Sequence, residues 1–350
     1  MAVKSLAVKY RPKKFEDVVE QDAIKVILKQ QLDSETVKNA YLFVGGAGTG
    51  KTTCARIFAN EINKGKGNPI EMDAASNSSV DDVRNIIKEA KTKSLSSEYK
   101  VFIIDECHAI SNTGWQAFLK LIEEPPAKSI FIFCTTDAHK IPKTILSRVQ
   151  RYDFRRISQK GIVDRLDWIL SQEVNEHNIL DGNLSIDALE YIAKIAEGGM
   201  RDAITLMDKC LSFSAELTLE NVIKALGTTD YETMFNLTEA LLDVEPKKVI
   251  EIIEKVHADG KDLKQFIHLY MYFLLDIEKY AVKCPFELLQ IPKLPNYELW
   301  LESCGEEDFG YIRTVLKAVI KLNADIKYSA YPKADIEAVL LMICLGDNVE

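Results

Sequence analysis

The chain has little that would anchor it to a membrane or staple it shut. No apolar run approaches the ~18 residues that a helical span needs, so no membrane partner is expected. The opening Met1-Ala2-Val3-Lys4-Ser5-Leu6-Ala7-Val8-Lys9 has too short an apolar core for a secretory signal. The seven cysteines are scattered at positions 54, 107, 134, 210, 284, 304 and 344, with no C-x-x-C pair. That spacing argues against a disulfide framework and a zinc cage, and points to a reducing, cytoplasmic setting. There is no internal repeat and no low-complexity tract. An overall basic excess is also missing: 44 Lys and Arg face 53 Asp and Glu in 350 residues. The distribution is uneven, however. Residues 1–158 hold 25 basic against 19 acidic side chains (+6), leaving 19 against 34 (−15) in 159–350. A polyanion is therefore expected near the first part only.

Two short runs carry the chemistry. Gly45-Gly46-Ala47-Gly48-Thr49-Gly50-Lys51-Thr52 fits G-x-x-x-x-G-K-[ST], preceded by the strand-like Tyr41-Leu42-Phe43-Val44 and followed by a helix-compatible run from Thr53. Gly45, Gly48 and Gly50 let successive backbone N–H groups point inward and cradle phosphates. Lys51 would reach the β- and γ-phosphates, and the Thr52 hydroxyl would ligate Mg²⁺; Thr53 completes the phosphate-side contacts. The second run, Val101-Phe102-Ile103-Ile104-Asp105-Glu106, is a buried strand ending in two carboxylates. Asp105 would hold the same Mg²⁺, and Glu106 would take a proton from an attacking water. Together they imply a site that binds and hydrolyses a nucleotide triphosphate.

Up to about Ser158, apolar strands alternate with amphipathic helices, as in a parallel sheet between helices. The strands are expected at Tyr41–Val44, Ile70–Asp73, Val101–Asp105, Ile130–Thr135 and Arg151–Phe154. Beyond Ser158 only helical periodicity remains: Ile162–Val174, Ile186–Glu197, Arg201–Phe213 and Leu219–Leu226, then Tyr231–Leu242, Pro246–Ala258, Leu263–Lys283, Glu307–Tyr328 and Lys333–Leu345. Pro-rich loops such as Cys284–Pro295 separate the later ones. The turn Gly227-Thr228-Thr229-Asp230 marks a boundary. The expected architecture is thus an α/β P-loop domain (1–158), a small all-α lid (159–227) and an all-α C-terminal domain (228–350).

Ser79-Val80-Asp81-Asp82 reads as a capping box opening a helix. Val80, Val83, Ile87 and Ala90 would form its buried face, and Arg84, Lys88 and Lys91 one basic stripe opposite. Preceded by Ser76-Asn77-Ser78, the helix start can receive a phosphate. Such a stripe serves equally as a solvated face.

Taken together, these residues resemble the AAA+ ATPases, specifically the gamma/tau ATPase subunits of bacterial DNA polymerase III clamp loaders. The resemblance spans nearly the whole chain. It rests on Tyr10-Arg11-Pro12, Phe15-Glu16-Asp17-Val18-Val19, Asp73-Ala74-Ala75-Ser76-Asn77, Asp105-Glu106-Cys107-His108, Leu121-Ile122-Glu123-Glu124-Pro125-Pro126, Thr135-Thr136-Asp137, Ile145-Leu146-Ser147-Arg148 and Gly199-Met200-Arg201-Asp202-Ala203. It implies that Thr136 senses the γ-phosphate or orients the lytic water, and that Arg201 reaches the nucleotide of its own subunit. Arg148 is implied to be an arginine finger acting in trans on a neighbour's site. Arg11, Val18 and Val19 are implied to wrap adenine and ribose. Asn77, Ser79, Arg84, Lys88 and Lys91 are implied to track primer–template DNA without sequence preference.

The implied partners are a sliding clamp, primed DNA and other clamp-loader subunits in a spiral, expected to be a pentamer, with residues 228–350 as the oligomerising collar. The alternatives are another AAA+ DNA motor, for branch migration or helicase loading, and a non-catalytic scaffold subunit. Family members carry four zinc-binding cysteines where this chain has Asn63-Lys64-Gly65-Lys66-Gly67-Asn68, so no zinc is expected. Val149 replaces the cysteine of the family's Ser-Arg-Cys motif and leaves Arg148 in place. The final Gly346-Asp347-Asn348-Val349-Glu350 follows soon after a helix, and the natural chain is open to extension.

Overall fold

The computed structural model describes residues 5–77, 80–92, 94, 97–177, 185–226, 230–285, 288–289 and 295–346. The chain divides into two units, Met1–Leu217 and Thr218–Glu350. In the first, β1 (Ala40–Val44), β2 (Ile70–Asp73), β3 (Lys100–Asp105), β4 (Ser129–Thr135) and β5 (Gln150–Asp153) form one parallel sheet ordered β2-β3-β4-β1-β5. Each strand lies within one residue of its expected run. Pairing of β5 runs on into Phe154, whose N–H donates to Val44 O at 2.7 Å.

The helices of this unit are α1 (Leu6–Lys9), α2 (Asp22–Asp33), α3 (Lys51–Ile62), α4 (Val80–Ala90), α5 (Asn112–Glu123), α6 (Lys143–Leu146), α7 (Gln159–His177), α8 (Ile186–Ile195) and α9 (Met200–Phe213). Strands buried on both faces need apolar residues at every position, and all five residues of β1 and all seven of β4 are buried. Alternate residues serve opposite faces. Tyr41, Phe43, Ile103 and Ile132 pack with Leu28 of α2 and Phe58 of α3. Leu42, Phe102, Ile104, Phe131 and Phe133 pack with Val83 of α4 and with Trp115 and Phe118 of α5. Each fully buried ring contributes about 1.5–3 kcal/mol through the hydrophobic effect.

On α4 the buried residues are Val83, Ile86 and Ala90, with Ile87 packed beside them and Val80 half-buried. The helix is therefore rolled slightly from the expected face, because Ile86 lies one turn above Val83 and joins the α5 side. Ser79 and the proposed capping box lie outside the described residues, as does the turn at 227–229.

The second unit is helical throughout its described residues: α10 (Leu219–Leu226), α11 (Asp230–Leu242), α12 (Pro246–Ala258), α13 (Leu263–Ala281), α14 (Pro295–Ser303), α15 (Glu306–Asp325) and α16 (Pro332–Cys344). Leu237, Ile253, Phe266, Tyr270, Ile312 and Leu340 belong to its core. Asp262 caps α13 by accepting from the N–H groups of Lys264 and Gln265. Helix α14 was not expected. Its Pro295 was read as the end of a loop, whereas proline is well suited to a first helical turn, where its missing N–H costs nothing.

Candidate nucleotide site

Parallel register brings the chemistry to one edge. Val44 pairs with Thr135 and Ile104 with Phe133, so the segments leaving β1, β3 and β4 emerge together at their C-terminal ends. Ligands bind at this edge in open α/β sheets. After Val44 the loop turns back through Gly48 (φ +69°) and Gly50 (φ +99°), left-handed conformations that favour glycine. Gly50 precedes α3 and offers no side-chain cap, so the first N–H groups of α3 suit an anion. The buried Lys51 donates from Nζ to the carbonyls of Gly45 (2.8 Å) and Gly46 (2.7 Å). Burial holds its ammonium below the usual lysine range.

The Thr52 hydroxyl donates to Asp105 Oδ2 at 2.7 Å. Asp105 Oδ1 accepts from the backbone N–H of Glu106 at 3.0 Å. A hydroxyl and a carboxylate in contact at the mouth of a phosphate loop are the hard oxygen donors that Mg²⁺ takes when it also bridges substrate phosphates. Glu106 adopts φ +46°, a left-handed strain of order 1–3 kcal/mol that functional sites often hold. Thr136 Oγ1 lies 3.3 Å from Glu106 Oε2.

A cleft of about 290 Å³ joins these groups within the first unit. Gly48–Thr53, Asp105 and Glu106 form one wall, Arg11, Val18 and Val19 another, and Met200 and Arg201 of α9 a third. Helix α9 sits directly on the phosphate loop. Met200 N–H donates to Gly48 O at 3.1 Å, and a Cβ on Gly48 would lie 2.9 Å from Gly199 Cα. The amino-terminal strap is latched to the same helices. Leu6 N–H donates to Asp208 Oδ2 on α9 (3.0 Å), and Lys9 pairs with Glu173 on α7 (2.7 Å). Arg165 donates to Tyr10 O (3.1 Å) while stacking over Trp168 at 4.2 Å.

Gly45 leads from β1 into the loop, its N–H donating to Thr135 O at 3.2 Å. The other expected nucleotide residues (Gly48, Gly50, Lys51, Thr52, Thr53, Asp105, Glu106, Arg11, Val18, Val19 and Arg201) all line the cleft, and Thr136 touches Glu106. Arg148 does not line it. Its guanidinium pairs with Glu123 Oε1 (2.8 Å) and caps the Thr144 carbonyl (2.9 Å). On the α4 side, Asn77 donates to Asp73 O and Arg84 pairs with Asp81 at 3.0 Å, while Lys88 and Lys91 are exposed. Two residues of the site were given no role from sequence: Arg165, which lines the cleft, and His108, whose Nδ1 lies 3.2 Å from Glu106 Oε2. His108 stood next to the paired carboxylates, the one available signal. Nothing in the sequence marked Arg165.

Among the described residues, no group of three or more His, Cys, Asp or Glu is arranged to hold a metal ion. No helix is long and apolar enough to cross a membrane.

A family model described as DNA polymerase III, delta subunit, matches residues 68–158. The chain is 34% identical to DNA polymerase III subunit tau of Bacillus subtilis over 366 aligned positions, covering 98% of this chain and 64% of that protein. It is 32% identical to the Escherichia coli tau subunit, covering 74% of this chain and 43% of that protein. The chain thus spans about half to two thirds of the length of these longer relatives. DNA polymerase III subunit gamma of Buchnera aphidicola is 30% identical, with 96% of each chain covered. In fold, the chain is similar to the Holliday junction branch migration motor RuvB of Thermotoga maritima, with a TM-score of 0.50 at 18% identity over 72% of this chain and 86% of that one. That likeness is one of fold alone. Identity sustained across the full length of a gamma subunit settles the family: this chain belongs to the DNA polymerase III gamma/tau subunits.

Proposed function

We propose that the chain is the ATP-hydrolysing motor subunit of a sliding-clamp loader. The observation that carries this reading is the convergence of the phosphate loop, the Thr52–Asp105 pair, Glu106 and Arg201 on one cleft. The loop N–H groups and Lys51 bind the β- and γ-phosphates of ATP. Thr52 and Asp105 would hold Mg²⁺, which would supply positive charge against the phosphate oxygens. Glu106 removes a proton from water as its oxygen bonds to the γ-phosphorus. The bond from that phosphorus to the β,γ-bridging oxygen breaks, its electron pair stays on ADP, and inorganic phosphate leaves. Thr136 orients the water beside Glu106, Arg201 neutralises charge on its own subunit's nucleotide, and Arg148 acts in trans on a neighbour's.

Family membership supports the remaining assignments. Residues 1–158 are the ATPase, 159–227 its lid, and 228–350 a collar joining subunits into a pentameric spiral. The partners are a sliding clamp and primer–template DNA. The DNA is gripped through its phosphates by Asn77, Ser79, Arg84, Lys88 and Lys91, and the setting is cytoplasmic. The helical character of the second unit favours this reading over a branch-migration motor with a winged-helix tail, and the complete set of hydrolytic residues favours it over a scaffold subunit.

The test is Glu106→Gln. It retains the phosphate loop and Thr52, so a fluorescent ATP analogue should bind as before. Hydrolysis in the assembled complex should fall ~10²–10⁴-fold with the general base gone. Turnover at the wild-type rate would overturn the assignment.

A further inference from the structure

Glu20 and Gln21 are successive non-glycine residues in the left-handed region (φ +54° and +56°). Such backbone persists where the surrounding structure over-determines it, and here both side chains grip the segment that joins β5 to α7. The Gln21 carboxamide donates to the Arg155 carbonyl (2.7 Å) and accepts from the Arg155 N–H (3.2 Å). Glu20 Oε1 accepts from the Ser158 N–H (3.1 Å) and from the Ser158 hydroxyl, with Oε2 3.3 Å from the same N–H.

Ser158 starts α7. Its carbonyl accepts from Ile162 N–H (3.0 Å) and its Oγ from Gly161 N–H (3.0 Å). In a capping box, a Glu or Gln at the third helical position reaches back to the N–H of the capping serine. In α7 that position is Gly161, and a Cβ on it would lie 2.7 Å from Glu20 Oε1. The carboxylate is thus supplied from 138 residues earlier, by the chain that has just left the Val18–Val19 wall of the cleft. Packing alone does not close this junction. A groove of about 540 Å³ runs between Glu16 and Asp17 on one side and Lys160, Asp164 and Trp168 on the other, and the Glu20–Ser158 bonds bridge it. Two turns beyond Ser158, α7 carries Arg165, which lines the cleft and donates to Tyr10 O.

We propose that Glu20 is a positioning residue of the nucleotide site: by capping α7 from outside that helix, it ties the helix start, and Arg165 two turns on, to the Val18–Val19 wall. Glu20 itself does not line the cleft. The cap is present with or without nucleotide, so its loss does not act on bound ATP directly. It acts by letting empty chains leave the seated arrangement, and apparent affinity then falls by the seated fraction that remains. Lys51, Thr52, Asp105 and Glu106 are carried by α3 and the end of β3, so turnover at saturating ATP is retained. This inference rests on the reading of the cleft as an ATP site.

The test compares Glu20→Ala, Glu20→Gly, Glu20→Gln and Asp262→Ala in the full chain. Binding of a fluorescent ATP analogue and melting temperature are measured on the chain, and kcat and KM in the purified assembly with ATP and primed DNA. E20A removes the acceptor; E20G removes it and also relieves the left-handed strain. Both should weaken analogue binding about 3- to 10-fold, the scale of one net hydrogen bond, and raise KM alike while kcat holds. The Gln side-chain oxygen can accept from both Ser158 donors as Oε1 does, so E20Q should bind within about twofold of wild type. Asp262 caps α13 in the second unit, so D262A should lower the melting temperature and leave binding unchanged. The positioning role is overturned if E20A and E20G bind as wild type does, if D262A weakens binding as much as they do, if E20Q is no better than E20A, or if kcat falls while KM holds. Should E20A not fold, E20G decides, because glycine tolerates φ +54°. If the wild-type chain itself fails to bind the analogue, the underlying reading fails first.

Discussion

Gly48→Ala tests how α9 is seated on the phosphate loop. At φ +69° an alanine costs about 1–2 kcal/mol of left-handed strain. Its Cβ would also stand 2.9 Å from Gly199 Cα and 3.1 Å from Gly199 C, both backbone atoms that no side-chain rotation can move aside. Carbon contacts settle at about 3.5–4.0 Å, so loop and α9 must part by roughly 0.5–1 Å. The 3.1 Å bond from Met200 N–H to Gly48 O would then stretch to about 3.6–4.1 Å, past hydrogen-bond range. That bond is worth ~0.5–1.5 kcal/mol, and a charge-assisted contact from Arg201 to phosphate ~1.5–3 kcal/mol. The first is lost with or without nucleotide and cancels; losing the second weakens nucleotide binding by about 1.5–3 kcal/mol, roughly 10- to 150-fold. Equilibrium titration of the chain with a fluorescent ATP analogue measures this directly. Gly65→Ala is the control: φ is +78° and nothing lies within 4 Å of the added methyl. It should lower the melting temperature by similar strain and leave affinity alone. If G48A binds within about twofold of wild type, or G65A weakens binding as much as G48A, the seating argument is refuted.

Three further outcomes are expected. Arg148→Ala should reduce ATP turnover of the assembly ~10³–10⁵-fold with little change in ATP affinity of the isolated chain, and mixing R148A with E106Q chains should restore some activity; mixed oligomers that form without rescue would refute the trans role. Elemental analysis of the purified chain should find no stoichiometric zinc, and one tightly held zinc per chain would refute that expectation. In native protein, Ellman's reagent should label Cys284 and Cys304 before Cys54, Cys107 and Cys134, because the latter are buried and burial raises their thiols (that of Cys54 to about 12); early labelling of Cys107 would show that the strand end after Asp105 opens readily.

The sheet was legible because its strands are buried on both faces, which writes continuous apolar runs such as Tyr41–Val44 and Ile130–Thr135 into the sequence. The phosphate loop and the Asp105-Glu106 pair were legible because each function is carried by neighbouring residues. What escaped depends on partners distant in the chain. The hydrogen bond of His108 needs Thr135 from another strand, and Arg165 gains its place from the Tyr10 carbonyl 155 residues earlier. The buried face of α4 was misjudged by a residue because Val80 and Ile86 are equally apolar, and only packing against α5 chooses between them. Helix α14 escaped because a proline reads the same as a loop residue and as a first-turn residue.

The strap also sets an order of assembly during synthesis. Residues 6–11 leave the ribosome well before the helices they latch to: the acceptor for Leu6 N–H is 202 residues further along, and Glu173, which anchors Lys9, is 164 residues further. At about 5–20 residues per second, Asp208 emerges roughly 10–40 s after Leu6. For most of that interval the sheet and phosphate loop can form, but the wall carrying Arg11 lacks first its anchors on α7 and then its anchor on α9. The nucleotide cleft is therefore completed from its oldest and its youngest segments together. A nascent chain stalled before Asp208 would carry every phosphate-loop residue and still lack the closed site.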